Sequence, residues 1–230
     1  MKDRVLIVAP SPSTFVVRDL KLLSPDREAS FVRNPMQKDL KAVLGLPRFL
    51  FSTLRSNLII TWFADASKFP VRMAKLFHKK VIVVIGGYDV AKVESIGYGA
   101  LLDPKKKRKE EYALQRADAV VAVDQGPVDD LVKHFNRDFD AEVVPTGYDD
   151  SVYQPSGNKK ALVLSVCNVI DRRGMVKGID VFAECARRMP DVPFRLIGVS
   201  GGALETLGVI PKNLEVLGKL PAEDVIKHYQ

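Results

Sequence analysis

Along almost the whole chain, apolar runs of strand length alternate with stretches whose apolar residues recur at helical spacing. VLIVA (5–9) leads into a turn region and then ASFV (29–32), followed by an amphipathic stretch over 37–54 that Gly45 and Pro47 interrupt. NLIITWF (57–63) precedes SKFPVRMAKLF (67–77), where Phe69, Met73, Leu76 and Phe77 recur at helical spacing. VIVVIGG (81–87), a charged helix over 104–116, AVVAV (119–123), a helix over 126–135 and AEVVPTG (141–147) complete the first series. The runs are continuously apolar, which predicts parallel strands covered by helices on both faces.

The alternation stops at YDDSVYQPSGNKK (148–160), whose Asp, Ser, Pro and Gly content reads as a surface linker. It restarts with ALVLSV (161–166), a helix over 177–189, PFRLIGV (193–199), LEVLG (214–218) and a helix opening at Pro221 or Ala222. The expectation is an α/β protein of two Rossmann-like parallel-sheet domains, residues 1–157 and 158–230. Three strands and two helices leave the second domain incomplete, so the chain is expected to be a truncated piece of a longer protein.

Composition narrows the function classes. The 230 residues are 47% hydrophobic, which excludes disorder. Cys167 and Cys185 form no disulfide framework and lack zinc-site spacing, and His78, His134 and His228 stand apart. No metal held by side chains is expected, while a metal carried by a substrate phosphate stays open. The first apolar run is too short for a signal peptide, and the most apolar window, 44–63, is broken by Arg48, Arg55 and Asn57. A cytoplasmic protein is expected, with peripheral contact at the inner face of an anionic membrane as an option. That option rests on LPRFLFSTL (46–54) and KKKRK (105–109), although a solvated helix start is the plainer reading of the basic run. The net charge of +7 is spread over both halves and no aromatic residues interleave with KKKRK, so nucleic acid is not expected as a partner.

In an open parallel sheet, ligands lie beyond the C-terminal ends of the strands. This singles out PSPST (10–14), GGYD (86–89), VDQG (123–126), PTGYDD (145–150), CNVID (167–171) and GVSGG (198–202). Neither a GxGxxG after the first strand nor a Walker sequence occurs, which disfavours classical dinucleotide and P-loop binding. Lys177 and Gly178 stand at a helix entrance, where an ammonium and unpaired N–H groups suit a diphosphate. A solvated lysine is the competing reading. Arg172 and Arg173 add charge to the loop before it.

LVLSVCNVIDRRGMVKGIDVFAECARRMPDVPFRLIG (162–198) resembles the opening of the second domain in the retaining glycosyltransferase family called glycosyl transferases group 1 (family 4). PTGYDDSVYQP (145–155) is similar to that family's Asn-Gly-Val-Asp-x-x-x-Phe-x-Pro segment through Gly147, Asp149, Tyr153 and Pro155. KNLEVLGKLPAEDVIKHYQ (212–230) is similar to its third strand and following helix. The resemblance implies a GT-B-like fold and transfer of a sugar, with retention, from a nucleotide-diphosphate sugar to a sugar or lipid-linked acceptor. It implies no permanently bound cofactor, because the nucleotide sugar is a substrate. Donor contacts are implied at Lys177, Gly178, Asn168, Arg172 and Arg173, and acceptor contacts at Ser11, Ser13, Gly86, Gly87 and Asp89. Asp89 also has the plainer reading of a turn cap. No catalytic residue is assigned.

The sequence departs from the family pattern at several points. Cys167 and Asn168 replace its Gly-Arg pair, Gly86 replaces a histidine, and PSPS replaces a glycine-rich loop. The family's paired glutamates would fall beyond Gln230, so this piece is expected to be inactive alone. A non-catalytic GT-B-like binding or partner subunit and a sugar-nucleotide epimerase are the alternatives.

Overall fold

Parallel strands can be joined only by crossovers, and each crossover lays a helix over an apolar sheet face. In the computed structural model, which describes residues 3–36, 44–148, 150–154 and 161–229, the chain forms two compact units. Met1–Glu94 and Gly99–Thr146 make the first; Ser95–Tyr98 and Gly147–Gln230 make the second. The boundary expected at residue 157, like Asp149 and Pro155, lies outside the described residues.

The first unit is a parallel sheet of β1 (Arg4–Ala9), β2 (Glu28–Arg33), β3 (Leu58–Trp62), β4 (Lys80–Ile85), β5 (Ala119–Ala122) and β6 (Ala141–Val143). Its order is β2-β1-β3-β4-β5-β6, so the chain reverses direction across the sheet between β1 and β3. That reversal is a topological switch point, where strand-end loops diverge and leave room for a ligand. The helices are α1 (Thr14–Leu23), α2 (Leu46–Arg55), α3 (Ala64–Leu76), α4 (Pro104–Arg116) and α5 (Gln125–Phe135). Alternate residues of β1 serve opposite faces. Leu6 and Val8 pack with Phe49 of α2, Val71 of α3, Leu114 of α4 and Leu131 of α5, whereas Ile7 and Ala9 pack with Val16 of α1 and with Trp62.

Helix α1 corrects the expected turn region after the first strand. Pro10 and Pro12 obscure its start, yet both precede the extended Ser13 that caps it, and Val16, Leu20 and Leu23 then face the sheet. In α3, Pro70 has no N–H to give the carbonyl of Ala66. Buried Asn34 makes good the loss by donating from Nδ2 to that carbonyl at 2.6 Å.

The second unit is a parallel sheet of β7 (Val163–Val169), β8 (Phe194–Val199) and β9 (Leu214–Leu217) in the order β7-β8-β9. It carries α6 (Ile179–Arg188), α7 (Ala222–Tyr229) and two 3-10 turns, Arg172–Lys177 and Gly201–Leu207. Ile179, Ala183 and Ala186 of α6 pack on Phe194, Leu196 and Leu214. The expected helix over 177–189 is two pieces: Gly178 adopts φ 66°, a left-handed turn of the chain that separates the 3-10 turn from α6. The strand expected over 161–166 runs on to Val169 through an irregularity after Val166, which places Cys167 and Asn168 inside it.

Candidate functional site

Ser11, Ser13, Gly86 and Gly87 all lie where β1 and β4 end, on either side of β3. The residue that links them was not singled out from the sequence. Phe63, directly after β3, has φ 70°, a left-handed conformation rare for an aromatic residue. Its ring stands edge-on to Phe15 of α1, with centroids 5.7 Å apart, and close to Trp62, 5.8 Å away. On its other side it fills the space over Gly86, where an added Cβ would come within 2.6 Å of Cε1. A histidine at position 86 is therefore sterically excluded while the ring stays where it is. Ser13 Oγ is buried and has no hydrogen-bond partner among the described residues, whereas Ser11 is exposed.

Asp89 is wholly buried, so it cannot meet an acceptor hydroxyl directly. Its Oδ1 accepts from the N–H groups of Gly86 at 3.0 Å and Gly87 at 2.9 Å, and its Oδ2 accepts from Ala64 N–H at 2.8 Å. One carboxylate thus fixes the glycine turn and holds the first residue of α3. Burial pushes its pKa up to about 6; the Ala64 and Gly86 hydrogen bonds oppose the rise, and the Asp65 charge adds to it. Glu110 of α4 is also buried, and neither of its oxygens has a hydrogen-bond partner among the described residues. Burial, with Asp65 and Asp89 adding, pushes it up to about 9, so it is neutral at physiological pH. The sequence signal for Glu110 was its spacing, three and four residues before the buried Ala113 and Leu114.

In the second unit, the ends of β7 and β8 are stitched together by backbone. Ser200 N–H donates to Val169 O at 2.9 Å. Gly198, at φ 91°, sits so close to β7 that a Cβ would lie 2.0 Å from Cys167 O, and Gly201, at φ 58°, would bring one to 2.9 Å from Ile170 O. Gly201 and Gly202 are exposed, which lets a ligand approach this backbone. Lys177 ends the 3-10 turn and is exposed. Burial pushes the Cys167 thiol up while the Lys177 charge pulls it down, so the ammonium lies within electrostatic reach of the end of β7. Gly178 brings no side chain to cap α6, and Asp180 occupies its first turn. An anion here would depend on the lysine more than on the helix dipole, because Asp180 offsets the latter. Asn168 is exposed on the same strand end; the Arg172 and Arg173 side chains lie outside the described residues. Among the described residues no group of three or more His, Cys, Asp or Glu could hold a metal ion.

No protein-family model matches the sequence, and no curated protein matches it. Solved structures do. Sucrose-phosphate synthase from Thermosynechococcus elongatus aligns with TM-score 0.70 and 16% identity, covering 99% of this chain and 73% of that one. HepE from Anabaena in complex with UDP and glucose aligns with TM-score 0.66 and 14% identity over 98% and 71%. UDP-GlcNAc 2-epimerase from Neisseria meningitidis bound to UDP-GlcNAc aligns with TM-score 0.54 and 10% identity over 97% and 74%. At such identities the likeness is one of fold: two Rossmann-like parallel-sheet units in succession, as a GT-B-like chain requires.

Proposed function

We propose that the protein is a retaining glycosyltransferase that moves a sugar from a nucleotide-diphosphate sugar to an acceptor hydroxyl. The second unit would take the donor and the first unit the sugar or lipid-linked acceptor. The observation that carries this reading is the exposed Lys177 ammonium beside the glycine-stitched ends of β7 and β8. Departure of the sugar leaves charge on the diphosphate, and a cation next to approachable backbone stabilises that charge as it develops. On the acceptor side, exposed Ser11 and the half-buried Gly86–Gly87 turn are what a ligand can reach, the Ser13 hydroxyl being buried, and Asp89 acts behind the turn as a positioning residue.

A second reading, a non-catalytic binding subunit of the same fold, is favoured by one feature. Phe63 fills the space over Gly86 and the nearby Asp89 is enclosed, so the end of β4 offers no exposed acid or base. The same feature counts against an epimerase, which needs acid–base side chains at the sugar. Calorimetric titration of the protein with UDP-, ADP- and GDP-sugars tests the donor assignment. Lys177→Ala should weaken binding about 10- to 100-fold, the loss of one charge-assisted contact. Equal affinity of both proteins for every nucleotide sugar would assign Lys177 to a solvated surface. Binding without transfer to any acceptor would favour the non-catalytic reading.

A further inference from the structure

Phe63 carries a backbone conformation that is costly for an L side chain and that glycine tolerates more easily. Hydrogen bonds pin it in place. Its N–H donates to Val84 O at 2.8 Å, and its carbonyl accepts from Ala66 N–H at 3.0 Å and from Ser67 Oγ at 2.7 Å. Ser67 is itself buried and shares a hydrogen bond of 2.9 Å with Thr61 Oγ1. None of these bonds needs a side chain on residue 63. For the backbone alone glycine would serve better, so the reason for an aromatic residue lies in what its ring does at the strand end. The ring is half-buried over Gly86, against Phe15 and Trp62, whose own ring centres are 4.5 Å apart. Phe15 is half-buried as well, and the Trp62 indole N–H is already spent on Asp19 Oδ2 at 2.9 Å. The turn beneath does not depend on the ring, because Asp89 accepts from Gly86 and Gly87 N–H from below.

We propose that the Phe63 ring is a plug: it closes the space over Gly86 in the free protein, and swings aside to let the C–H face of a pyranose take its place against Phe15 and Trp62. On the reading of the first unit as the acceptor side, that pyranose is the acceptor sugar. One six-membered ring replaces another, so the exchange leaves no void. Aromatic faces carry negative charge density and attract the C–H groups of a sugar, while the exposed Ser11 hydroxyl at the end of β1 suits its polar rim. Only the side chain of Phe63 has to move, since its backbone is pinned. The closed plug competes with the ligand, so apparent affinity falls in proportion to the fraction of molecules in which the ring has swung out. A small polyol without an apolar face does not cover Phe15 and Trp62 and does not displace the plug.

Trp62 is the chain's one tryptophan, is 4% exposed, and has its ring centre 5.8 Å from that of Phe63, so its fluorescence reports displacement of the plug. The test is titration of the wild type, Phe63→Gly and Phe15→Leu with methyl glucoside, methyl galactoside and methyl N-acetylglucosaminide, followed by fluorescence and calorimetry, with glycerol as the control. At least one pyranoside should shift Trp62 emission in the wild type, and glycerol should not. Phe63→Gly, which suits the positive φ and removes the plug, should bind that pyranoside about tenfold more tightly. Phe15→Leu, which keeps an apolar side chain but loses the flat face, should bind it about tenfold more weakly. Cooperative thermal melts of both variants would show that the fold is kept. Equal or weaker binding by Phe63→Gly, unaltered binding by Phe15→Leu, a pyranoside that binds the wild type without moving Trp62 emission, or an equal response to glycerol would overturn the proposal. Nucleotide-sugar binding with no pyranoside binding by any of the three proteins would overturn the plug and leave the transferase reading standing. Pyranoside binding with the expected variant effects but no nucleotide-sugar binding would sustain the plug and overturn the transferase reading.

Discussion

The two units hold their strand-end loops by different means. In the first, β1 is buried for five consecutive residues, and its loops are fixed by side chains reaching up from the core: Phe63 over Gly86, and Asp89 under the glycine turn. In the second, β8 is largely buried, while β7 has only Val169 buried and Val163 is 38% exposed. With a thinner core, its loops are held by backbone approaching backbone at Gly198 and Gly201. A side-chain anchor tolerates small shifts of its neighbours, whereas a glycine contact fails once a Cβ is added. The proposed donor loops should therefore be the more fragile pair, and the acceptor loops the more sensitive to pH.

The largest expected effect is Gly198→Ala. Its Cβ would collide with Cys167 O while the backbone holds φ 91°, so β7 must separate from β8. Urea denaturation should show a loss of about 4 kcal/mol or more in the second unit, with the first unit's transition in place. Asp89→Ala should do the reverse. Three N–H groups, of buried Ala64 and half-buried Gly86 and Gly87, lose their acceptor, costing the first unit about 3 kcal/mol. Equal movement of both transitions in either variant would break the contrast between the units.

Titration gives a smaller, graded effect. Asp89 and Glu110 hold their protons more tightly in the folded state than carboxyls do in an unfolded chain, with values near 6 and 9. Their stabilising contribution is complete below the ordinary carboxylate range and is lost as pH rises through about 6 and then about 9. The melting temperature of the first unit should fall from the ordinary carboxylate range upward, more steeply to about 6 and less steeply on to about 9, and Glu110→Gln should abolish the decline between about 6 and about 9. The smallest expected effect is that of Lys177→Ala on stability, within about 0.5 kcal/mol, because the side chain is exposed. A larger loss in thermal melts would make the lysine structural.

Much of this organisation was legible in the sequence, for local reasons. The helix Pro104–Arg116 follows from Asp103, whose carboxylate accepts from Lys105 N–H at 2.8 Å, and from Pro104 at the first helical position. Strands β1 and β4 follow from uninterrupted apolar runs, and β3 from one that only Thr61 breaks. The rest was set by tertiary contacts. Nothing local tells Phe63 to take a positive φ; its packing against Phe15 and Gly86 imposes that. Asn34 reads as an ordinary polar residue after a strand, and its task appears only when Pro70 leaves the Ala66 carbonyl unmet. Lys177 and Gly178 read as one helix entrance, although the left-handed Gly178 divides them.

Hydrogen exchange with and without a UDP-sugar tests the proposed donor site most directly. Saturating ligand should slow exchange of the amides at 169–178 and 198–202, and Lys177→Ala, at the same ligand concentration, should remove most of that protection. Protection confined to the first unit, or wholly retained in the lysine variant, would contradict it.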